Sequence, residues 1–214
     1  MPRKAKTNTP VPDPRRYLAL GDCYSIGQSL TVEESWPMQL AAALRTRGVA
    51  LSDPQIIATT GWSTNQLATA IDEAAPQGPF ALVTLLIGVN DQYHGHPLQE
   101  YRAQLNSLLQ RAIDFAGNQS RRVLMVSIPD WGLSPLAQPP KYDPVQISIQ
   151  IDAFNATAQD CCAAHAIGFV DITPISRDGG GDAPMLATDR LHPSAAMYAR
   201  WTERVLPAAY AALA

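Results

Sequence analysis

Five apolar runs punctuate the chain, at residues 17–20, 55–60, 80–87, 123–128 and 168–172. Run 80–87 shows no polar alternation, the pattern of a strand covered by helices on both faces. Between the runs, apolar residues recur every three or four positions. Trp36, Leu40 and Leu44 share one face of a helix that Ser35 is expected to cap, with Pro37 in its first turn and Gly48 at its end. A second helix is expected over 64–75. A third is marked by Leu98, Tyr101, Leu105, Leu108, Leu109 and Ala112, and a fourth covers 146–165. The last starts near Ser194, with Met197, Trp201 and Val205 on one face, and Pro207 is expected to kink or restart it. Strands alternating with helices predict an α/β fold, a three-layer α/β/α domain around a five-stranded, mainly parallel sheet.

Composition narrows the picture. In 214 residues, 46% hydrophobic content suffices for one substantial core. No stretch approaches the roughly 18 to 20 unbroken apolar residues of a membrane span, so no stable membrane insertion is expected. Residues 1–16 hold four prolines and five basic residues against one acid, Asp13. They read as a disordered basic tail ahead of a domain at 17–214, without the apolar centre of a secretory signal. Setting that tail's +4 aside from the formal −3 leaves −7, a balance that disfavours nucleic acid as a partner. Cys23, Cys161 and Cys162 are odd in number and two are adjacent, which makes no disulfide framework; a reducing cytoplasm is the expected compartment. Oligomeric state leaves no mark in the sequence.

Parallel strands present their carboxyl ends at one edge, where α/β sites gather. The loops after the first, second, third and last strands carry Cys23, Gly61, Asn90 and Asp189-Arg-Leu-His192. A thiol on such a turn is a candidate nucleophile when a base can reach it; alone it is more readily an inert buried thiol. A carboxylate three residues before a histidine can hold the near ring nitrogen and leave the far one for the thiol, but the same spacing describes a capped helix entry. The backbone N–H groups of Cys23 and Gly61 and the side-chain amide of Asn90 are candidate oxyanion donors. Taken singly, a turn glycine and a helix cap explain Gly61 and Asn90 better.

The proline-rich stretch 134–144, with Trp131 and Tyr142, is expected to form an apolar wall beside the site, joined by Tyr24 and Ile26. His94-Gly-His96, with Asp91, raises a metal reading. Zinc catalysis needs three protein ligands and an open position, and no further cluster supports it. The turn Gly21-Asp-Cys-Tyr-Ser-Ile-Gly27 is not the Gly-x-Gly-x-x-Gly of a nucleotide or flavin loop, so no cofactor is expected.

Together, Gly21-Asp-Cys-Tyr-Ser-Ile-Gly27, Gly61, Gly88-Val-Asn-Asp91 and Asp189-Arg-Leu-His192 resemble the four ordered blocks of the SGNH hydrolases, or GDSL esterase/lipase family, over residues 17–213. The resemblance implies a flavodoxin-like sheet and metal-free hydrolysis of small-molecule acyl esters through a covalent acyl-enzyme. It implies a triad of nucleophile, His192 and Asp189, with Cys23, Gly61 and Asn90 as the oxyanion hole. Where the family has serine, this chain has Cys23; Ser25 falls at a variable position of the block. That departure leaves two expectations: a hydrolase weak on ordinary esters with some acyl-transfer activity, or a flavodoxin-like binding module whose nucleophile has been retired.

Overall fold

A computed structural model describes residues 14–214, so most of the expected tail, 1–13, lies outside the described residues. Arg15 and Arg16 were expected to belong to that tail. Arg15 pairs with Leu51 in a parallel bridge, and Arg16 accepts a backbone hydrogen bond from Ala81 (2.8 Å).

The elements run β1 (Tyr17–Gly21), α1 (Cys23–Ile26), α2 (Trp36–Thr46), β2 (Gln55–Ala58), α3 (Thr64–Ala74), β3 (Leu82–Leu86), α4 (Val89–Tyr93), α5 (Leu98–Phe115), β4 (Val123–Val126), α6 (Pro144–Ala164), β5 (Gly168–Val170), α7 (Thr173–Arg177) and α8 (Ala195–Leu213). The sheet has the order β2-β1-β3-β4-β5 and every pairing is parallel. Connections that move only one way across a sheet put their helices on one face, so the reversal after β2 matters. Helices α2 and α8 pack together on one side, while α3, α5 and α6 form the other layer. The expected three-layer α/β/α fold is what forms.

The continuous apolar runs became strands for the reason their pattern suggests. All five residues of β1 and of β3 are buried, because each strand is paired on both edges and covered on both faces. Burial that complete leaves polar atoms with few options. The Tyr17 hydroxyl pairs with the Thr84 hydroxyl at 2.9 Å across β1 and β3, each answering the other inside the core.

The expected Ser35 cap does not form, and of the kink or restart expected at Pro207 the restart does not occur. Ser35 stands at the N-cap of α2, but its hydroxyl donates to the Val32 carbonyl (2.7 Å) and caps nothing. Pro207 does not restart the last helix, which runs unbroken from Ala195 to Leu213. Trp201, Val205, Leu206, Ala209 and Leu213 are all buried, and packing along that face outweighs one lost backbone hydrogen bond.

The Tyr17–Thr84 pair gives a stability test. Thr84→Val strands a buried phenol and is expected to cost about 1–3 kcal/mol in urea unfolding. Adding Tyr17→Phe is expected to return most of that loss. Equal instability of the single and double variants would contradict the pairing.

Candidate active site

Where β1 ends, the chain must turn sharply. A Cβ on Gly21 would stand 2.1 Å from Ser25 Oγ and 2.6 Å from the Leu86 carbonyl, so only glycine lets the turn sit this close to β3. Asp22 caps the short α1, its carboxylate accepting from the Tyr24 N–H at 3.0 Å. Cys23 is the first residue of that helix. Its neighbours β2 and β3 place their own carboxyl ends alongside. After β2 comes Gly61, held at φ +84°, in the left-handed region that favours glycine. A Cβ at Gly61 would meet no protein atom, so within the protein itself it is the backbone conformation that favours glycine.

Asn90 lies inside α4 and is not its cap, a place taken by Gly88. The Asn90 amide donates to the Trp62 carbonyl at 3.0 Å, which fixes the side chain and leaves its second amide hydrogen for the cavity. Asp91, its neighbour, is turned inward: one oxygen accepts from the Thr64 N–H (3.0 Å), the other from the Thr64 hydroxyl (2.8 Å). His96 Nδ1 stands 3.3 Å from that second oxygen. Among the described residues, no group of three His, Cys, Asp or Glu side chains is arranged to hold a metal ion.

The loop before α8 supplies Asp189 and His192. Asp189 Oδ2 is 2.7 Å from His192 Nδ1, and Oδ1 accepts from the N–H groups of Leu191 and His192, both at 2.9 Å. A carboxylate can only accept, so Nδ1 carries the hydrogen and Nε2 is free to act as a base. Asp189 caps no helix, since α8 begins at Ala195 with Ser194 as its N-cap; one Asp189 oxygen closes a turn and the other meets the ring. Partial burial alone would raise the Asp189 pKa. The Ser29 hydroxyl, the two backbone N–H groups and the imidazole outweigh it and hold the carboxyl far below the usual range.

These residues meet in a cavity of about 430 Å³ at the carboxyl edge, lined by Cys23, Gly61, Asn90 and His192. Both Cys23 and His192 are buried. Burial is the chief cause that pushes the Cys23 thiol well above its ordinary pKa, and the Asp22 charge adds to it. The backbone N–H groups of Gly61, Tyr24 and Cys23 pull the other way and are outweighed. The sulfur therefore rests as a neutral thiol, unlike a thiolate held beside a cation.

The remaining lining is mostly apolar. Tyr24, Trp131 and Tyr142 line the cavity; Ile26 does not, two residues beyond Tyr24 on the short α1. Tyr24 is tucked against the His192 ring at 5.6 Å and the Trp201 ring at 6.0 Å. Sequence reasoning missed Tyr93 and Leu136. The Tyr93 hydroxyl meets that of Tyr142 at 3.1 Å, and both rings stand near Trp131, at 5.7 and 5.2 Å. A signal for Tyr93 existed: it falls three residues after Asn90, so one helical turn presents both to the same side. The Trp131 indole N–H donates to Gln92 Oε1 (2.8 Å), which fixes the third member of the wall.

A doubly wound α/β/α sheet whose site lies where strand order reverses, between β1 and β3, defines the class. The match to the model of the GDSL-like Lipase/Acylhydrolase family extends over residues 19–200, and the chain belongs to that family. An arylesterase of Vibrio mimicus is 30% identical over 123 residues, 55% of this chain and 58% of that relative. The chain thus aligns with little more than half of that relative's length. TesA shares the fold with a TM-score of 0.70 at 22% identity, covering 91% of this chain and 97% of the other. The psychrotrophic esterase EstA of Pseudoalteromonas gives 0.69 at 15% identity, covering 91% and 96%. No helix among the described residues is long and apolar enough to cross a membrane.

Asp22 yields a pH test. Burial, opposed by the Tyr24 N–H and aided by the Asp91 charge, pushes its carboxyl up to about 8. Between about pH 4, where an unfolded aspartate ionises, and about pH 8, the folded chain keeps a proton that the unfolded chain has lost. Stability from this group is therefore full below pH 4 and declines as pH rises to 8. Asp22→Asn is expected to gain melting temperature relative to the parent progressively across that window and no further above it. A gap independent of pH would mean Asp22 ionises normally.

Proposed function

We propose that the protein is a carboxylic ester hydrolase in which Cys23 attacks the acyl carbon, His192 is the base and Asp189 orients it. The observation that carries this reading is the single cavity lined by Cys23, Gly61, Asn90 and His192, with His192 tied to Asp189 at 2.7 Å. Membership of a lipase/acylhydrolase family and an arylesterase relative support ester chemistry. The aromatic wall supports small esters with an aryl or short acyl arm.

His192 Nε2 takes the thiol proton as the sulfur–carbon bond forms, because the resting thiol does not ionise on its own. The negative charge moves onto the carbonyl oxygen, toward the N–H groups of Cys23 and Gly61 and the amide of Asn90. Collapse breaks the carbon–oxygen bond, and the imidazolium returns its proton to the departing alkoxide. Water, deprotonated by His192, then attacks the thioester and expels Cys23, which recovers the proton. An added amine, alcohol or thiol replaces water in acyl transfer.

The sulfur makes the forward step difficult with ordinary alcohols. Lower-pKa groups leave faster, so the tetrahedral adduct of an alkyl ester expels the thiolate and reverts to substrate. An activated aryl ester carries a leaving group that competes with sulfur. Cys23→Ser is thus expected to raise kcat/KM on a simple aryl acetate at least about tenfold, measured by phenol release. Equal rates for the two forms would refute the impairment. Turnover absent from both would favour a binding module.

A further inference from the structure

Beyond the triad, the segment that leaves α1 reaches two other loops of the site at once. Gln28 and Ser29 follow Gly27, and the Gln28 N–H donates back to the Cys23 carbonyl at 3.0 Å. The Thr60 hydroxyl donates to Gln28 Oε1, fastening the residue before Gly61 to the loop that carries Cys23. The Ser29 hydroxyl donates to Asp189 Oδ2 at 2.6 Å, the same oxygen that holds His192 Nδ1 at 2.7 Å. Two adjacent side chains thus connect the Cys23 turn to the Gly61 loop and to the Asp189–His192 pair.

Ser29 also holds an unfavourable backbone shape, with φ at +67°. Residues with a Cβ rarely stay there unless their surroundings determine it, and such positions cluster at functional sites. Glycine would occupy that conformation freely. What serine adds at this position is its hydroxyl, and the hydroxyl is aimed at Asp189.

We propose that Ser29 is a positioning residue of the ester reaction, locking the Asp189 carboxylate in the orientation that presents His192 Nε2 to Cys23. The proposal rests on the reading of Asp189 and His192 as orienting acid and base. Ser29 does not line the cavity. With two donors on Oδ2, and Oδ1 occupied by the N–H groups of Leu191 and His192, the carboxylate has no free rotation. Removing the Ser29 hydroxyl frees Oδ2 to bind the imidazole N–H alone. The hydrogen bond from His192 Nδ1–H to Asp189 Oδ2 then shortens, while the pair as a whole loses its tether to the Cys23 loop. Gln28 acts separately, on the Gly61 loop.

The test uses the full chain, an activated aryl ester and proton NMR of the His192 Nδ1–H resonance. Ser29→Ala and Ser29→Gly are each expected to lower kcat about fivefold with KM within about twofold, since substrate contacts are untouched. Both are expected to move the Nδ1–H resonance downfield. Ser29→Asn, which tolerates the left-handed backbone and restores a donor, is expected to recover most of kcat and the parent resonance. Gln28→Ala is expected to lower kcat while leaving the resonance in place. A resonance unmoved in Ser29→Ala and Ser29→Gly overturns the proposal, as does parent kcat in Ser29→Gly. Parent turnover in His192→Ala instead overturns the reading of His192, and the resonance still reports on the Ser29 contact.

Discussion

The pairing of β1 with β3, in register from Tyr17↔Leu82 to Gly21↔Leu86, determines where the site can form. Both strands are fully buried, so neither can slide without dragging its whole apolar set out of the core. Their ends coincide at Gly21 and Leu86, and the absence of a side chain at Gly21 lets the next turn close against the Leu86 carbonyl. Cys23 and Asn90 then emerge side by side because they follow paired strand ends by a few residues each. Gly61 comes from β2 on the other side of β1. A loosened register would separate all three before any cavity residue was altered.

Within that frame, the chemistry is governed by a conflict between burial and charge. Burial pushes the Asp22 carboxyl up to about 8 and the Cys23 thiol above its ordinary range. On the rim, Asp189 keeps its charge because four donors surround it. Two carboxylates near one site thus differ through environment alone: one beside the sulfur, shielded from water, the other outside and hydrogen-bonded. In the proposed reaction the neutral thiol depends on a base in the same way that a serine hydroxyl would. Cysteine's usual advantage, a thiolate ready at neutral pH, is absent here.

The strands were legible because full burial removes polar alternation, and the helices because their apolar faces repeat at helical spacing. The candidate site was legible because parallel topology converts order along the sequence into a shared edge, so Cys23, Gly61, Asn90 and His192 could be placed together without coordinates. Contacts that depend on which side chain faces which were not. Ser29 lies 160 residues from Asp189, and nothing local marks a serine as its partner. Ile26 follows Tyr24 by two residues, a step that turns it to the other side of the short α1 from Tyr24. Pro207 shows the limit from the other side: a local rule about proline gives way where the rest of the helix is packed.

In the proposed reaction the sulfur of Cys23 is the atom that takes the acyl group. Intact-protein mass spectrometry after brief exposure to an activated aryl ester, followed by peptide mapping, tests it most directly. One acyl adduct on Cys23, absent from Cys23→Ala and hydrolysed slowly on standing, is the result this account predicts. An adduct confined to Cys161, Cys162 or any other residue would contradict it.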